Sequence, residues 1–258
     1  MSKVEQIEEN LKKLKELGVS ETEIIERWES KILSLKNGEL SYIFIKNIKG
    51  ADVKAHGQVI MESKDPKWNY DFAKDVEGAD VKAHGNVVIE SKNLEWNYKF
   101  AKDVEGADAK AHGNVIIESK NEERNYRFAK DVAGADTKAH GKVVIESKCA
   151  LWNYFFVKDV EGADIKAHEK VIIESKDPEW NYYFARNVKG ADVMAHGRVI
   201  IESKDSRVND WFKKDFGDEY KILKGNNLID DAYNFIDDAL DEMIKKNNEE
   251  NKSMQKRF

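Results

Sequence analysis

A single phrase of 28 residues constrains what this chain can fold into more than any other feature. Gly-Ala-Asp recurs at Gly50, Gly78, Gly106, Gly134, Gly162 and Gly190, each time 28 residues on. Six copies therefore run 37–64, 65–92, 93–120, 121–148, 149–176 and 177–204, and a seventh start, Asp205 to Gly217, breaks off partway. Self-similarity at a fixed period of this length marks a repeat architecture in which each unit packs on its neighbours.

Numbering one copy from 1 to 28 shows what each unit is. In 177–204, Asp177 followed by Pro178 predicts a helix start, because the carboxylate caps free amides and proline suits the first turn. The spacing predicts a short helix ending near Val188, with Trp180, Asn181, Phe184, Ala185 and Val188 on one face and positions 6, 7, 10 and 11 on the other. Gly190 is placed as a helix stop tolerant of positive φ. Asp192 then caps a second helix running to about Lys204. Its buried arc is expected to hold Val193, Ala195, His196, Val199, Ile200 and Ser203, and its outer row Met194, Arg198 and Glu202. Neither the alternation of strands nor a sustained heptad appears in the repeats. One hairpin cannot bury its own apolar face, so the expectation is an all-α fold, an αα-solenoid of six helical-hairpin repeats plus a partial seventh.

The flanks differ from the repeat. Residues 1–36 read as an amino-terminal helical cap, with Val4, Ile7, Leu11 and Leu14 on one helix and Ile24, Ile25, Trp28, Ile32 and Leu33 on the next. Ser20 and Glu23 form a capping box between them. Residues 205–246 read as the partial repeat and a capping helix. Leu228, Ile229, Ala232, Ile236, Ala239, Leu240 and Met243 are its expected covered face, and Asp230, Asp231, Asp237, Asp238, Asp241 and Glu242 its acidic one. From Asn247 to Phe258 the sequence is a polar tail, expected to fray.

Composition narrows the function. A net charge of −6 gives no bulk attraction to nucleic acid or to an anionic membrane. There is no apolar run near 18 residues and no early signal-like segment, so the expectation is a cytoplasmic protein without a membrane span. The lone Cys149 fits a reducing compartment and excludes an internal disulfide.

The phrase Phe-Ala-Lys-Asp-Val-x-Gly-Ala-Asp-x-Lys-Ala, as in Phe100 to Ala111, resembles short helical repeats of bacterial and phage-associated proteins. The resemblance covers 37–204 and implies the architecture of HEAT-like solenoids, with shorter units. It brings neither an activity nor functional residues.

The six histidines, His56, His84, His112, His140, His168 and His196, all stand at position 20. A histidine row suggests metal, but stacked helices sit about 8–10 Å apart, whereas ligands of one zinc must each lie about 2 Å from it. Position 20 also falls on the buried arc, so the row reads as a structural ladder, with no metal and no cofactor. Asn69, Asn97, Asn125, Asn153, Asn181 and Asn209 at position 5 read as an inter-repeat hydrogen-bonding row. The aspartates at position 16 (Asp52, Asp80, Asp108, Asp136, Asp164 and Asp192) read as helix caps. Catalysis needs a constellation that breaks a pattern, and these residues form one, so no catalytic residue is assigned.

Two positions break the pattern. Position 7 reads Ile43, Asp71, Lys99, Arg127, Phe155, Tyr183 and Trp211, and position 22 reads Gln58, Asn86, Asn114, Lys142, Lys170 and Arg198. Both are expected to be exposed, and toward the later copies one turns aromatic and the other basic. Aromatics and arginine are typical interface anchors. The partner-binding candidates are therefore Phe155, Tyr183, Trp211, Arg127, Lys142, Lys170 and Arg198. The leading expectation is a scaffold, as a monomer or small oligomer, that binds another protein. The resemblance suggests a phage or mobile-element inhibitor of a host protein. The alternatives are nucleic-acid binding, disfavoured because Lys at position 18 interleaves with Glu at position 26, and mimicry of nucleic acid by the acidic helix.

Overall fold

The computed structural model describes residues 3–255, side chains at 3, within 226–232, at 234 and 241, and from 246 onward excepted. Expectations that rest on Leu228, Ile229, Ala232, Asp230, Asp231 and Asp241 side chains therefore lie outside the described residues. Among the described residues every regular element is a helix. Two compact units divide the chain, Met1–Ser147 with Asp159–Ala163, and Lys148–Lys158 with Asp164–Phe258.

The first unit contains α1 (Lys3–Glu16), α2 (Glu21–Ser34), α3 (Gly38–Asn47), α4 (Val53–Glu62), α5 (Pro66–Asp75), α6 (Val81–Glu90), α7 (Leu94–Asp103), α8 (Ala109–Glu118), α9 (Glu122–Asp131) and α10 (Thr137–Ser147). The second contains α11 (Ala150–Asp159, its last residue excepted), α12 (Ile165–Glu174), α13 (Pro178–Asn187), α14 (Val193–Ser203), α15 (Ser206–Asp215) and α16 (Gly217–Gln255). Helices pack in succession within each hairpin and onto the same helix of the next one. The fold is an all-α helical-repeat solenoid.

The caps are those the sequence announces. Asp177 accepts hydrogen bonds from the Glu179 and Trp180 amides, and Asp192 from that of Ala195. Both helices of the repeat end where the spacing places them, near Val188 and at Lys204. The first helix of the repeat stops at a buried, extended valine, Val188 with φ −103° and ψ 114°, and Gly190, φ +87°, shapes the turn beyond it. The second helix ends on lysine. Lys36, Lys64, Lys92, Lys120, Lys148, Lys176 and Lys204 all adopt φ between 49° and 60°, a region that costs a residue with a β-carbon about 1–2 kcal/mol. The preceding serine holds this turn: Ser63 Oγ donates to Ile60 O at 2.6 Å and accepts from Asp65 N at 3.3 Å.

Position 8 supplies the core. Phe44, Phe72, Phe100, Phe128, Phe156, Phe184 and Phe212 are at most 1% exposed, each burial contributing about 1.5–3 kcal/mol. Opposite them lie Ile60, Val88, Ile116, Val144, Ile172 and Ile200, fully buried. The amino-terminal cap keeps the repeat register in α2: Ile32 stands at position 24 and is buried, and Lys36 at position 28 is left-handed. At the other end, Val208, Phe212 and Leu223 close the stack, and α16 packs on α14 and α15. Beyond Gly225, α16 departs from a cap. Ile236, Leu240 and Met243, expected to be covered, are 52%, 50% and 66% exposed. The helix outruns the hairpins it packs on, continuing to Gln255 into the segment read as a tail.

Candidate functional site

Two hydrogen-bonded ladders fix the frame on which variable side chains stand. In the first, the position-5 asparagine ties two repeats together. Asn97 Nδ2 donates to Val88 O of the preceding repeat at 3.0 Å and to Asn93 O at 2.9 Å. With its amide nitrogen so used, its oxygen must accept, which assigns the proton to His112 Nδ1 at 2.8 Å. The same pairing joins His84 to Asn69, His140 to Asn125, His168 to Asn153 and His196 to Asn181, each at 2.7 Å. Each ring also packs on its Phe, with centroids 4.7 Å apart for Phe72 and His84. Burial pushes His84, His112, His140 and His168 down to about 4.

His56 begins the ladder differently. Position 5 of its repeat is Ser41, and both Ser41 Oγ and the two ring nitrogens of His56 are buried with no hydrogen-bond partner. At the far end Asn209 Oδ1 is likewise unpaired, its repeat having no histidine. Position 21, glycine in most repeats, becomes glutamate next to the ladder's two ends. Glu29 and Glu169 lie 3.4 Å from Nε2 of His56 and His196 and accept the amides of Asp52 and Asp192 at 2.7 and 2.5 Å. Burial still holds both rings below the usual histidine value, while the carboxylates oppose it.

The second ladder runs along positions 6 and 11, which the helical spacing places on the face away from Trp180 and Phe184, and the structure buries most of position 6. The position-6 tyrosines Tyr42, Tyr70, Tyr126, Tyr154 and Tyr182 are buried. Tyr42, Tyr70, Tyr98 and Tyr182 donate across the repeat boundary to Asp75, Asp103, Asp131 and Asp215 at 2.6–2.7 Å, and Tyr126 does so to Asp159. Where position 11 is Asn187, the polarity reverses and its amide donates to Tyr154 Oη at 2.8 Å. The position-10 cation joins in, as with Lys74 Nζ to Tyr70 Oη at 3.0 Å. Burial, then the Asp75 carboxylate, pushes the Tyr42 phenol up to about 12.

Position 7 flanks this second ladder and is the surface that changes. In the first unit Ile43 is buried in the cap cluster. Asp71 and Lys99 are half-buried and Arg127 is exposed, with Lys99 paired to Glu95 at 2.8 Å and Arg127 to Glu123 at 2.6 Å. In the second unit Phe155, Tyr183 and Trp211 are half-buried rather than exposed, because each leans on rings of the neighbouring helix. Phe155 meets Trp152 and Trp180 at 6.3 Å, Trp180 meets Tyr183 at 5.8 Å, and Tyr183 meets Trp211 at 6.5 Å. Tyr154 and Tyr182 lie beneath, 5.6 and 5.5 Å from Trp180 and Trp211. Lys158 sits 5.9 Å from the Phe155 ring and Arg207 5.0 Å from Trp211, while Arg207 also pairs with Glu179. The sequence reading missed Trp152 and Trp180 because position 4 also carries tryptophan in the first unit, as Trp68 and Trp96.

The position-22 row is exposed as expected. Lys142 and Lys170, 76% and 75% exposed, lie 3.8 and 3.7 Å from Glu146 and Glu174, and Arg198 is exposed on α14. The row is thus partly neutralised by its own helices. Asp237, Asp238 and Glu242 on α16 are exposed. Among the described residues no three His, Cys, Asp or Glu side chains are grouped to hold a metal ion, and no helix is long and apolar enough to cross a membrane. No protein-family model, curated protein or solved structure matches the chain.

Proposed function

We propose that this chain is a non-enzymatic scaffold that binds another protein, through the aromatic face of α11, α13 and α15. The observation that carries the reading is the contiguous row Trp152, Phe155, Trp180, Tyr183 and Trp211, whose rings brace one another, with Phe155, Tyr183 and Trp211 at the position that bears Asp71, Lys99 and Arg127 in the first unit. Rings held by their neighbours lose little conformational freedom on binding, and large aromatics supply most of the energy at interfaces. Flanking Lys158 and Arg207 favour a partner with some acidic groups. The histidines and the position-11 and position-16 aspartates of the repeats serve in ladders and caps, which supports a non-enzymatic reading.

Nucleic acid is the less favoured partner, since the carboxylates four residues from Lys142 and Lys170 interrupt any one-sign stripe. A phage or mobile-element inhibitor acting in the cytoplasm is the form of this reading that the resemblance of the repeats suggests. The test is capture by the tagged chain from a bacterial lysate with and without nuclease. A stoichiometric protein that persists after nuclease supports the scaffold. A complex that dissolves with nuclease contradicts it.

A further inference from the structure

The distal part of α16 carries six large apolar side chains that are half or more exposed: Tyr233 66%, Phe235 75%, Ile236 52%, Leu240 50%, Met243 66% and Ile244 59%. Elsewhere among the described residues only Leu17, Leu35 and Ile222 are exposed large hydrophobics. At about 100° per residue these six share one half of the helix. Tyr233, Ile236, Leu240 and Met243 are spaced by three, four and three residues, the seam of a coiled coil, with Ile244 and Phe235 on its two sides. Asp238, Glu242 and Lys245 fall on the opposite half, and Asp237 at the edge.

We propose that α16 is a self-association helix, whose seam is covered by α16 of a second copy of the chain. Three arguments select a second copy. The six side chains together expose on the order of 800 Å², about what each partner contributes to a standard stable interface. A three-four-three seam also mates with an identical one, each side chain entering a hole made by four of its counterparts. The charges agree: with Asp238 and Glu242 on the far side, two acidic helices meet without setting these carboxylates face to face, whereas a basic partner groove would leave them outside it. This surface is distinct from the aromatic row on α11, α13 and α15, and neither reading depends on the other.

The test is light scattering on the full chain, eluted by size across low to high micromolar concentration. The expected mass is two or more chains of 29.7 kDa, insensitive to added salt. The double variant Ile236→Asp/Leu240→Asp should weaken association at least tenfold with an unchanged circular dichroism spectrum, because both side chains are exposed. Asp238→Lys, on the far half, should leave the mass unaltered. A single-chain mass throughout the range overturns the proposal, as does an assembly that survives the double variant. So does a single chain that binds lipid vesicles through α16, since the seam would then be a membrane-surface face.

Discussion

In the first unit position 7 carries Asp71, Lys99 and Arg127, and in the second it carries Phe155, Tyr183 and Trp211. The ladder positions beside it are nearly constant. The asparagine two residues before it bonds backward to the preceding repeat, and the tyrosine one residue before it bonds forward to the next. A side chain at position 7 takes part in neither ladder, so it can change from ion-paired to aromatic without disturbing the stack. The difference teaches where selection can act on such a chain: the ladders specify the frame, and the ridge beside them specifies what the frame meets.

The largest way to break this comparison is to break a ladder. Replacing Asn125 by leucine removes its bonds to the Ile116 and Asn121 carbonyls, which keep Ser119 Oγ and the residue-125 amide as donors, and strands the buried His140 Nδ1. The expected loss is about 3 kcal/mol or more, read by denaturant unfolding. Lys99→Ala, at the variable position, should cost at most about 0.5 kcal/mol.

Acid should act next. Four histidines are held down to about 4 by burial. Between that value and the unperturbed value near 6.5 the unfolded chain binds more protons than the folded one, so stability falls as pH falls. Each such ring contributes a slope of up to about 1.4 kcal/mol per pH unit in that window. A melting temperature that stays level from pH 6.5 to pH 4 would contradict the buried, neutral assignment.

A smaller effect sharpens the contrast between a complete rung and the incomplete first one. Ser41→Asn restores the missing amide beside His56, whose Nδ1 and the Ser41 hydroxyl have no hydrogen-bond partner. Thermal unfolding should show a gain of about 1 kcal/mol. An unchanged or lowered stability would mean that the first repeat packs too tightly for the rung.

Much of this was legible in the sequence, and the reasons are local. The period, the aspartate caps and the apolar Phe of position 8 each announce themselves within a few residues. The tyrosine ladder did not, because a helical wheel sorts faces relative to one hairpin, while Tyr70 reaches Asp103, 33 residues ahead in the next. The left-handed lysines carried no glycine to mark them. Glu29 and Glu169 carry no sequence mark of their place, although one lies 17% and the other 5% exposed against buried imidazoles. Position 7 was legible as variable but not as half-buried, since the rings that cover it come from helices a full repeat away. The seam on α16 was read as a covered face, because its spacing is the same whether its cover comes from this chain or another.

The most direct test compares the two position-7 rows in one partner-capture experiment. Phe155→Ala/Tyr183→Ala/Trp211→Ala is set against Asp71→Ala/Lys99→Ala/Arg127→Ala, each at matched helical signal and measured by titration against the captured protein. The account predicts that the aromatic variant weakens binding at least a hundredfold, about 2.7 kcal/mol, while the charged variant changes it less than threefold. Equal losses in both, or none in the aromatic variant, would contradict it.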